Sequence, residues 1–424
     1  MTSEEFMSLV YIPNMGLYFL VLFVVLLLYI FLFRKRILSI IDPTLFAVLN
    51  LAFAGAVPVF LYFAKACPDK HFGYFCISQF VLISIFLLFT RKITFHGTVM
   101  QNGIHDLDKN RFFFNICLGI YIFSTVYSWV INGIPIFNED RFAINVDNSS
   151  GIMGMLGRLS AASHLFSILF VYYLFFHGRK IYASLLMIML VGMSMMSGSK
   201  GFIFSFVQAY FFYSVFYVGK IPHVSKKYLP VIILAPLCVI LLAGYANDGL
   251  NSIMYFGYRL LANGDTYWNA YPYSVIDMLS VSSPILNMTS IFWGPFRHIF
   301  GIDVDRHLFD TVGALLFELN YRTYPDGGAP NSQLTIVSYV YYKWYGLIMV
   351  GMLSFVGSLL YRYAYKTANQ NIYICCKRAL IFNMALSVFG DVFLFFNSIF
   401  NFLLFVVLYK CVCILYPLFY SKKS

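Results

Sequence analysis

With 424 residues, 60% of them hydrophobic and only 11% charged, and a mean hydropathy of +0.76, the chain is far from soluble domains, which carry about 25% charged residues. That composition excludes a soluble globular protein. The formal charge of +11 does not signal nucleic acid either, because the lysines and arginines sit mainly at the ends of apolar runs, where they set membrane orientation.

A membrane-crossing helix needs about 20 mostly apolar residues. Runs of that kind lie near 15–33, 44–64, 74–90, 112–132, 152–176, 181–197, 202–219, 228–246, 346–363, 377–395 and 398–418. Each should be helical, since backbone in lipid must satisfy its own hydrogen bonds. The expected fold is therefore all-α: a polytopic membrane protein of about 11 transmembrane helices forming one integral domain, 1–424.

The first run is long enough to span and is followed by Arg34-Lys35-Arg36, so it reads as an anchor and not as a cleavable signal. When the spans alternate, that cluster falls on the same side as Arg91-Lys92, Arg179-Lys180, Lys226-Lys227, Lys377-Arg378 and Lys422-Lys423. That side is cytoplasmic, with the C-terminus inside and the N-terminus outside. Cys67 and Cys76 share a short outer loop; pairing is open to them, but the remaining cysteines show no framework spacing, which favours free thiols.

Three outer segments can meet one another: 133–151, the turn at 198–201, and the long stretch 247–333, a large, partly helical loop expected to carry the active site. Within it, Leu308, Phe309, Val312, Leu315, Leu316 and Leu319 recur at helical spacing, which predicts a helix lying against the membrane surface. The long stretch also concentrates Arg259, Arg297, Arg306 and Arg322 among tyrosines and tryptophans. Guanidinium makes paired, charge-assisted bonds to phosphate oxygens, so arginines beside a lipid-facing bundle suit an anionic lipid such as a polyprenyl diphosphate sugar. Arg141 and Arg158 join this candidate diphosphate-binding set. Arg158 lies about two turns into an apolar run, where an unpaired charge is expensive and a functional role is the default reading.

A base is needed to activate a sugar hydroxyl, and His307, His298 and Glu318 are the candidates in that order. Any one of them is also compatible with a solvated interfacial side chain. No Cys/His/carboxylate cluster has zinc-ligand spacing, and no nucleotide-binding or serine-nucleophile motif is present, so neither a metal nor a cofactor is expected from the residues. Magnesium held through a phosphate stays open.

In its topology and in three local stretches the chain resembles the O-antigen polymerase family. These stretches are Gly133-Ile134-Pro135-Ile136-Phe137 with Arg141 downstream, Gly198-Ser199-Lys200-Gly201 opening a span, and Gly328-Ala329-Pro330-Asn331-Ser332 leading through Tyr345-Gly346 into the next span. The resemblance implies a glycosyltransferase at the periplasmic face of a bacterial inner membrane. It would move a growing glycan from undecaprenyl diphosphate to a sugar hydroxyl on a new carrier-linked repeat unit. Lipid-linked donor and acceptor would be its partners, with a flippase and a chain-length regulator of the same pathway. The related O-antigen ligases typically show a His-Asn pair where this chain reads Pro330-Asn331, which weakens a ligase reading. The same features also suit an enterobacterial common antigen polymerase or a lipid-linked oligosaccharide flippase. A flippase, however, is expected to carry its polar residues in repeated, broken helices, and here they gather in one loop.

If Arg259 and Arg297 hold the diphosphate, alanine at either removes a charge-assisted bond of roughly 1.5–3 kcal/mol and lowers turnover, and lysine rescues only in part. Glycan length in cells carrying each variant measures this. Near-normal chains in both would count against the assignment.

Overall fold

The computed structural model describes residues 1–91, 99–100, 107–137, 151–197, 202–223, 252–292, 310–323, 325, 329–365, 368–369 and 371–420. Seven helices among them are long and apolar enough to cross a bilayer: Ser3–Phe33, Pro43–Phe63, Asp69–Thr90, Leu107–Phe137, Gly154–Phe176, Leu334–Ala364 and Val392–Leu418. Two shorter apolar helices run over Lys180–Met196 and Ile203–Val218. The chain is thus a helical, multi-pass membrane protein; the expected run 228–246 lies outside the described residues. The β structure among the described residues is a parallel pairing of Val99–Met100 with Ala368–Asn369 and a lone bridge between Gln333 and Asp391.

The helices are numbered α1 (Met15–Phe33), α2 (Pro43–Phe63), α3 (Asp69–Thr90), α4 (Leu107–Asn132), α5 (Gly151–Phe176), α6 (Lys180–Met196), α7 (Phe202–Phe212), α8 (Ser252–Leu261), α9 (Asp265–Ala270), α10 (Val275–Met278), α11 (Pro284–Met288), α12 (Val312–Tyr321), α13 (Leu334–Tyr342), α14 (Gly346–Ala364), α15 (Ile372–Ser387) and α16 (Val392–Tyr420). Local chemistry sets several of their ends. Asp42 accepts from the Thr44 amide at 2.8 Å with Pro43 at the first helical position, and Asn371 accepts from the Tyr373 amide at 2.9 Å. In α1, Tyr18, Leu22, Val25 and Tyr29 turn into the bundle while Leu20, Phe23, Val24 and Leu27 stay exposed. Apolar residues on both sides are what a helix between protein and lipid requires.

The segment expected on the outer side is fitted onto this bundle through a notch in α2. Pro58 has no N–H, so the Ala54 carbonyl four residues earlier loses its helical partner. Gly264 packs into that place: a Cβ there would stand 2.9 Å from the Ala54 oxygen and 2.8 Å from Val57 Cγ2. Asp265 follows directly and opens α9. On the same side, the Phe6 ring stacks on Trp268 at 4.7 Å and the Tyr321 hydroxyl donates to Ser3 Oγ at 2.6 Å, so the N-terminal residues and the segment carrying Trp268 and Tyr321 share one end of the bundle.

Two differences from the sequence reading matter for the site. The run expected at 377–395 stops earlier: α15 ends at Ser387, and a turn through Gly390 and Asp391 leads into α16, because Asp391 caps the new helix by accepting from the Phe393 amide at 2.7 Å. The helix expected to lie on the membrane surface exists as α12, capped by Thr311, but it buries Val312, Leu315 and Leu316 by packing on α9 and α13. Leu308 and Phe309 lie outside the described residues.

The Leu334–Ala364 span is interrupted at Lys343, and its first part, α13, runs antiparallel to α3. Thr335 Oγ1 meets Gln79 at 3.2 Å, Ser338 meets Tyr74 at 3.0 Å, and Tyr339 reaches the level of Lys70. At 1.5 Å per residue, Gln333 therefore sits roughly 15 Å along α3 from its N-terminal end.

Valine at Gly264 should push α9 off α2 and displace Asp265. The expected loss is about 1–3 kcal/mol, read as a lower melting midpoint of the detergent-solubilised protein, with alanine milder than valine. An unchanged midpoint for Gly264→Val would show that the notch is not a packing contact.

Candidate functional site

Residues 329–333 are irregular backbone surrounded by apolar helices, so their amides need partners. Two aspartates from opposite directions supply them. Asp265 Oδ1 accepts from the Thr266 amide at 2.8 Å and from the Asn331 amide at 3.1 Å, and the Thr266 hydroxyl donates to the Asn331 carbonyl. Asp391 Oδ2 accepts from the Ser332 amide at 2.7 Å, and the Val392 amide donates to the Ser332 carbonyl at 3.2 Å. Ser332 Oγ in turn accepts from the Gly313 amide at 3.0 Å, and Gln333 Nε2 donates to the Asn263 carbonyl at 3.1 Å. A Cβ at Gly313 would collide with the Pro330 carbonyl, so only glycine lets α12 approach this run so closely.

Burial pushes the Asp265 carboxyl up to about 7; the amides of Asn331 and Thr266 oppose the rise, and the neighbouring Asp391 adds to it. Burial likewise lifts Asp391 to about 6 against the pull of its backbone donors. Both side chains keep an accessible edge, and the Asn331 side chain beside them is exposed. The arrangement is a pair of mostly buried carboxyls, poised to exchange protons near neutrality, beside an exposed amide.

One helix joins this pair to a half-buried cation. Along α16, six and nine residues beyond Asp391, stand Asn397 and Phe400. Arg158 of α5 donates through Nη1 to Asn397 Oδ1 and lies 4.9 Å from the centre of the Phe400 ring. Both partners are neutral, and no carboxylate forms an ion pair with Arg158 among the described residues. One turn back on the same face of α16, Phe396 closes a cavity of about 430 Å³ whose other walls are Met288, Tyr342, Tyr345, Ile348, Met349, Met352 and Leu353. Ile348 and Met352 are 64% exposed, so the cavity opens sideways where lipid would lie.

The other sequence candidates fall elsewhere. Arg259 is exposed on α8, and Arg322 is exposed in left-handed backbone (φ 54) at the end of α12. These helices share no extensive packing with α5, so Arg158 alone of the three stands against α16, the helix whose Phe396 lines the cavity. Glu318 is partly exposed on α12, and its side chain makes no hydrogen bond among the described residues. Arg141, Arg297, Arg306, His298 and His307 lie outside the described residues.

Sequence reasoning passed over three groups. Asp391 fell inside an expected span, and the rule that singled out Arg158 applied to it equally. Asp265 looked like one of several turn aspartates. His71 was masked by its place in a loop: it is fully buried, with Nε2 3.3 Å from Asp277 Oδ2, its ring stacked on Tyr271 and set edge-on to Tyr339. Asp277 also takes Lys70 at 3.3 Å and the Tyr339 hydroxyl at 2.9 Å. Burial pushes that carboxyl up, but the Tyr339 hydroxyl, His71 and Lys70 outweigh it and hold it below the usual range. Cys67 and Cys76 are both free.

Comparison with protein-family models, curated proteins and solved structures gives no match for this chain.

The two raised carboxyls give a signed prediction. Their folded values exceed the ordinary 3.8, so folding favours the protonated forms; this stabilisation is complete below about pH 4 and is lost as pH rises through 6 and 7. The melting midpoint should be higher at pH 5 than at pH 8, and Asp265→Asn with Asp391→Asn should flatten that slope. A slope unchanged in the double variant would remove these groups as its cause.

Proposed function

We propose that the chain is a membrane glycosyltransferase of the O-antigen polymerase type, acting at the periplasmic face of a bacterial inner membrane on undecaprenyl-diphosphate-linked oligosaccharides. One observation carries this reading: Arg158, set in the membrane span of α5 and held among the described residues by neutral partners alone, rests on α16, the helix that Asp391 caps and whose Phe396 lines an apolar cavity open to lipid. The chemistry of such a transfer needs these parts. A polyprenyl chain occupies an apolar groove, guanidinium neutralises the departing diphosphate, and a base takes the proton from the attacking sugar hydroxyl.

In this reading Arg158 holds the diphosphate through two N–H groups, exchanging Asn397 for phosphate oxygens. Asp265, with the higher proton affinity, is the base, and Asp391 holds the irregular run in register. The run itself is the Pro330-Asn331-Ser332 stretch on which the family resemblance partly rests. His298, His307 and Glu318 remain candidates for acceptor contacts, as do Arg141, Arg259, Arg297, Arg306 and Arg322 for further phosphate contacts.

Cells lacking the protein should make lipopolysaccharide capped with a single repeat unit, and long chains in a clean deletion would sink the proposal. With the reconstituted enzyme, Arg158→Ala should lose roughly 1.5–3 kcal/mol of transition-state stabilisation, on the order of ten- to a hundredfold in turnover, with Arg158→Lys intermediate. Turnover of the wild type should rise with pH through about 7 as Asp265 ionises. In Asp265→Asn that rise should vanish along with a roughly hundredfold or greater loss of rate.

A further inference from the structure

A second hollow, about 390 Å³ in volume, lies at the end of the bundle that holds Phe6 and Trp268, and it shares no lining residue with the lipid-open cavity. Its walls include Lys65 and Pro68 from the loop between α2 and α3, and Pro272 and Tyr273 just after α9. α9 is roughly 9 Å long at 1.5 Å per residue, so Asp265 at its start and Tyr273 beyond its end stand within the reach of one oligosaccharide.

Two of these walls are built on backbone that side chains avoid. The Ser274 amide donates to the Tyr271 carbonyl at 3.0 Å, with Pro272 between them, and Tyr273 takes φ 55 and ψ 17 at the turn position that glycine or asparagine favours. Ser274 continues in the same region with φ 53. Across the hollow, the Ala66 amide donates to the Leu61 carbonyl at 2.8 Å and closes α2 in a turn whose left-handed residue is usually glycine; here it is Lys65, with φ 58. Among the described residues five non-glycine positions have positive φ, and two line this hollow while a third adjoins it. Strain of this kind persists only where the surroundings impose it, and it gathers at ligand sites.

What the strain achieves is display. Tyr267 and Tyr271 of the same segment are buried, whereas Tyr273 is 70% exposed. An aromatic ring that only anchors a chain at the bilayer surface needs no left-handed backbone. Lys65 is exposed and pairs with no carboxylate among the described residues. The hollow thus offers a flat apolar face with a hydroxyl on one wall, a three-donor ammonium on another, and no carboxylate in its lining. A pyranose ring is the complementary shape, with C–H bonds on its faces and hydroxyl oxygens around its edge.

We propose that this hollow binds a pyranose unit of a glycan chain, with Tyr273 against the C–H face and Lys65 donating to the hydroxyl oxygens. The choice of a glycan as occupant rests on the function proposed above, and the bound unit is one removed from the reacting end.

The test is photocrosslinking of the full-length protein in its own cells, with a benzophenone-bearing phenylalanine in place of Tyr273. After irradiation and purification under denaturing conditions, the protein should carry covalent carbohydrate, read by periodate oxidation and hydrazide staining. The same probe in place of Phe123, which is exposed on the membrane-facing side of α4, should carry none. Lys65→Gly should lower the yield at 273 about tenfold or more. Glycine suits the backbone there, so its melting midpoint should stay unchanged or rise, which separates loss of a sugar contact from loss of fold. In cells that assemble no lipid-linked repeat unit the label should vanish. A carbohydrate-free protein at 273, equal labelling at 123, or a yield indifferent to Lys65→Gly overturns the proposal. The lipopolysaccharide of the deletion strain decides the glycosyltransferase reading separately: long chains there, with carbohydrate still captured at 273, would leave the sugar site standing on a protein of another activity.

Discussion

Irregular backbone in apolar surroundings must find donors and acceptors outside itself, and that requirement organises this molecule. The amides of Asn331 and Ser332 are met by Asp265 and Asp391, which arrive from segments about 60 residues away in either direction. Buried amides left without partners would each cost about 1–3 kcal/mol, so the two carboxyls fix where the outer segment, α13 and the α15–α16 turn sit relative to one another. The same burial that makes those bonds necessary raises the proton affinity of the acids that form them. Architecture and reactivity have one cause here.

Around that centre the bundle supplies two further ingredients. α16 places Asn397 and Phe400 against Arg158, so a guanidinium is kept inside the apolar layer by weak neutral contacts that a stronger anion can replace. The same helix and α14 leave a gap filled by no side chain and open to the membrane. Phosphate chemistry on a lipid needs a charged end and a greasy end within one molecule's reach, and these elements provide both.

Much of this was legible in the residues. Hydrophobic runs located the long helices because the bilayer demands unbroken apolar length, and Arg158 stood out because charge in such a run is costly. Asp391 escaped for the converse reason: a single acid near the end of a long apolar stretch does not break the run by average hydropathy, so the turn at Gly390 was absorbed into a span. α13 was hidden because a short apolar helix folding back at Lys343 has the same composition as the start of a transmembrane segment. The pairing of Asp265 with Asn331 joins residues 66 positions apart, and no local pattern encodes it. Arg259 and Arg322 looked equivalent to Arg158 by residue type and neighbourhood, and only packing separates them.

As an electrostatic unit the two acids are governed by burial, with the charge of Asp391 a small addition to the proton affinity of Asp265. Any multiply charged anion drawn to Arg158 would add its field to that unit and favour proton uptake; its departure would release the proton again. Ligand occupancy and proton count are thereby tied together, so calorimetric heats of binding should change with the ionisation enthalpy of the buffer.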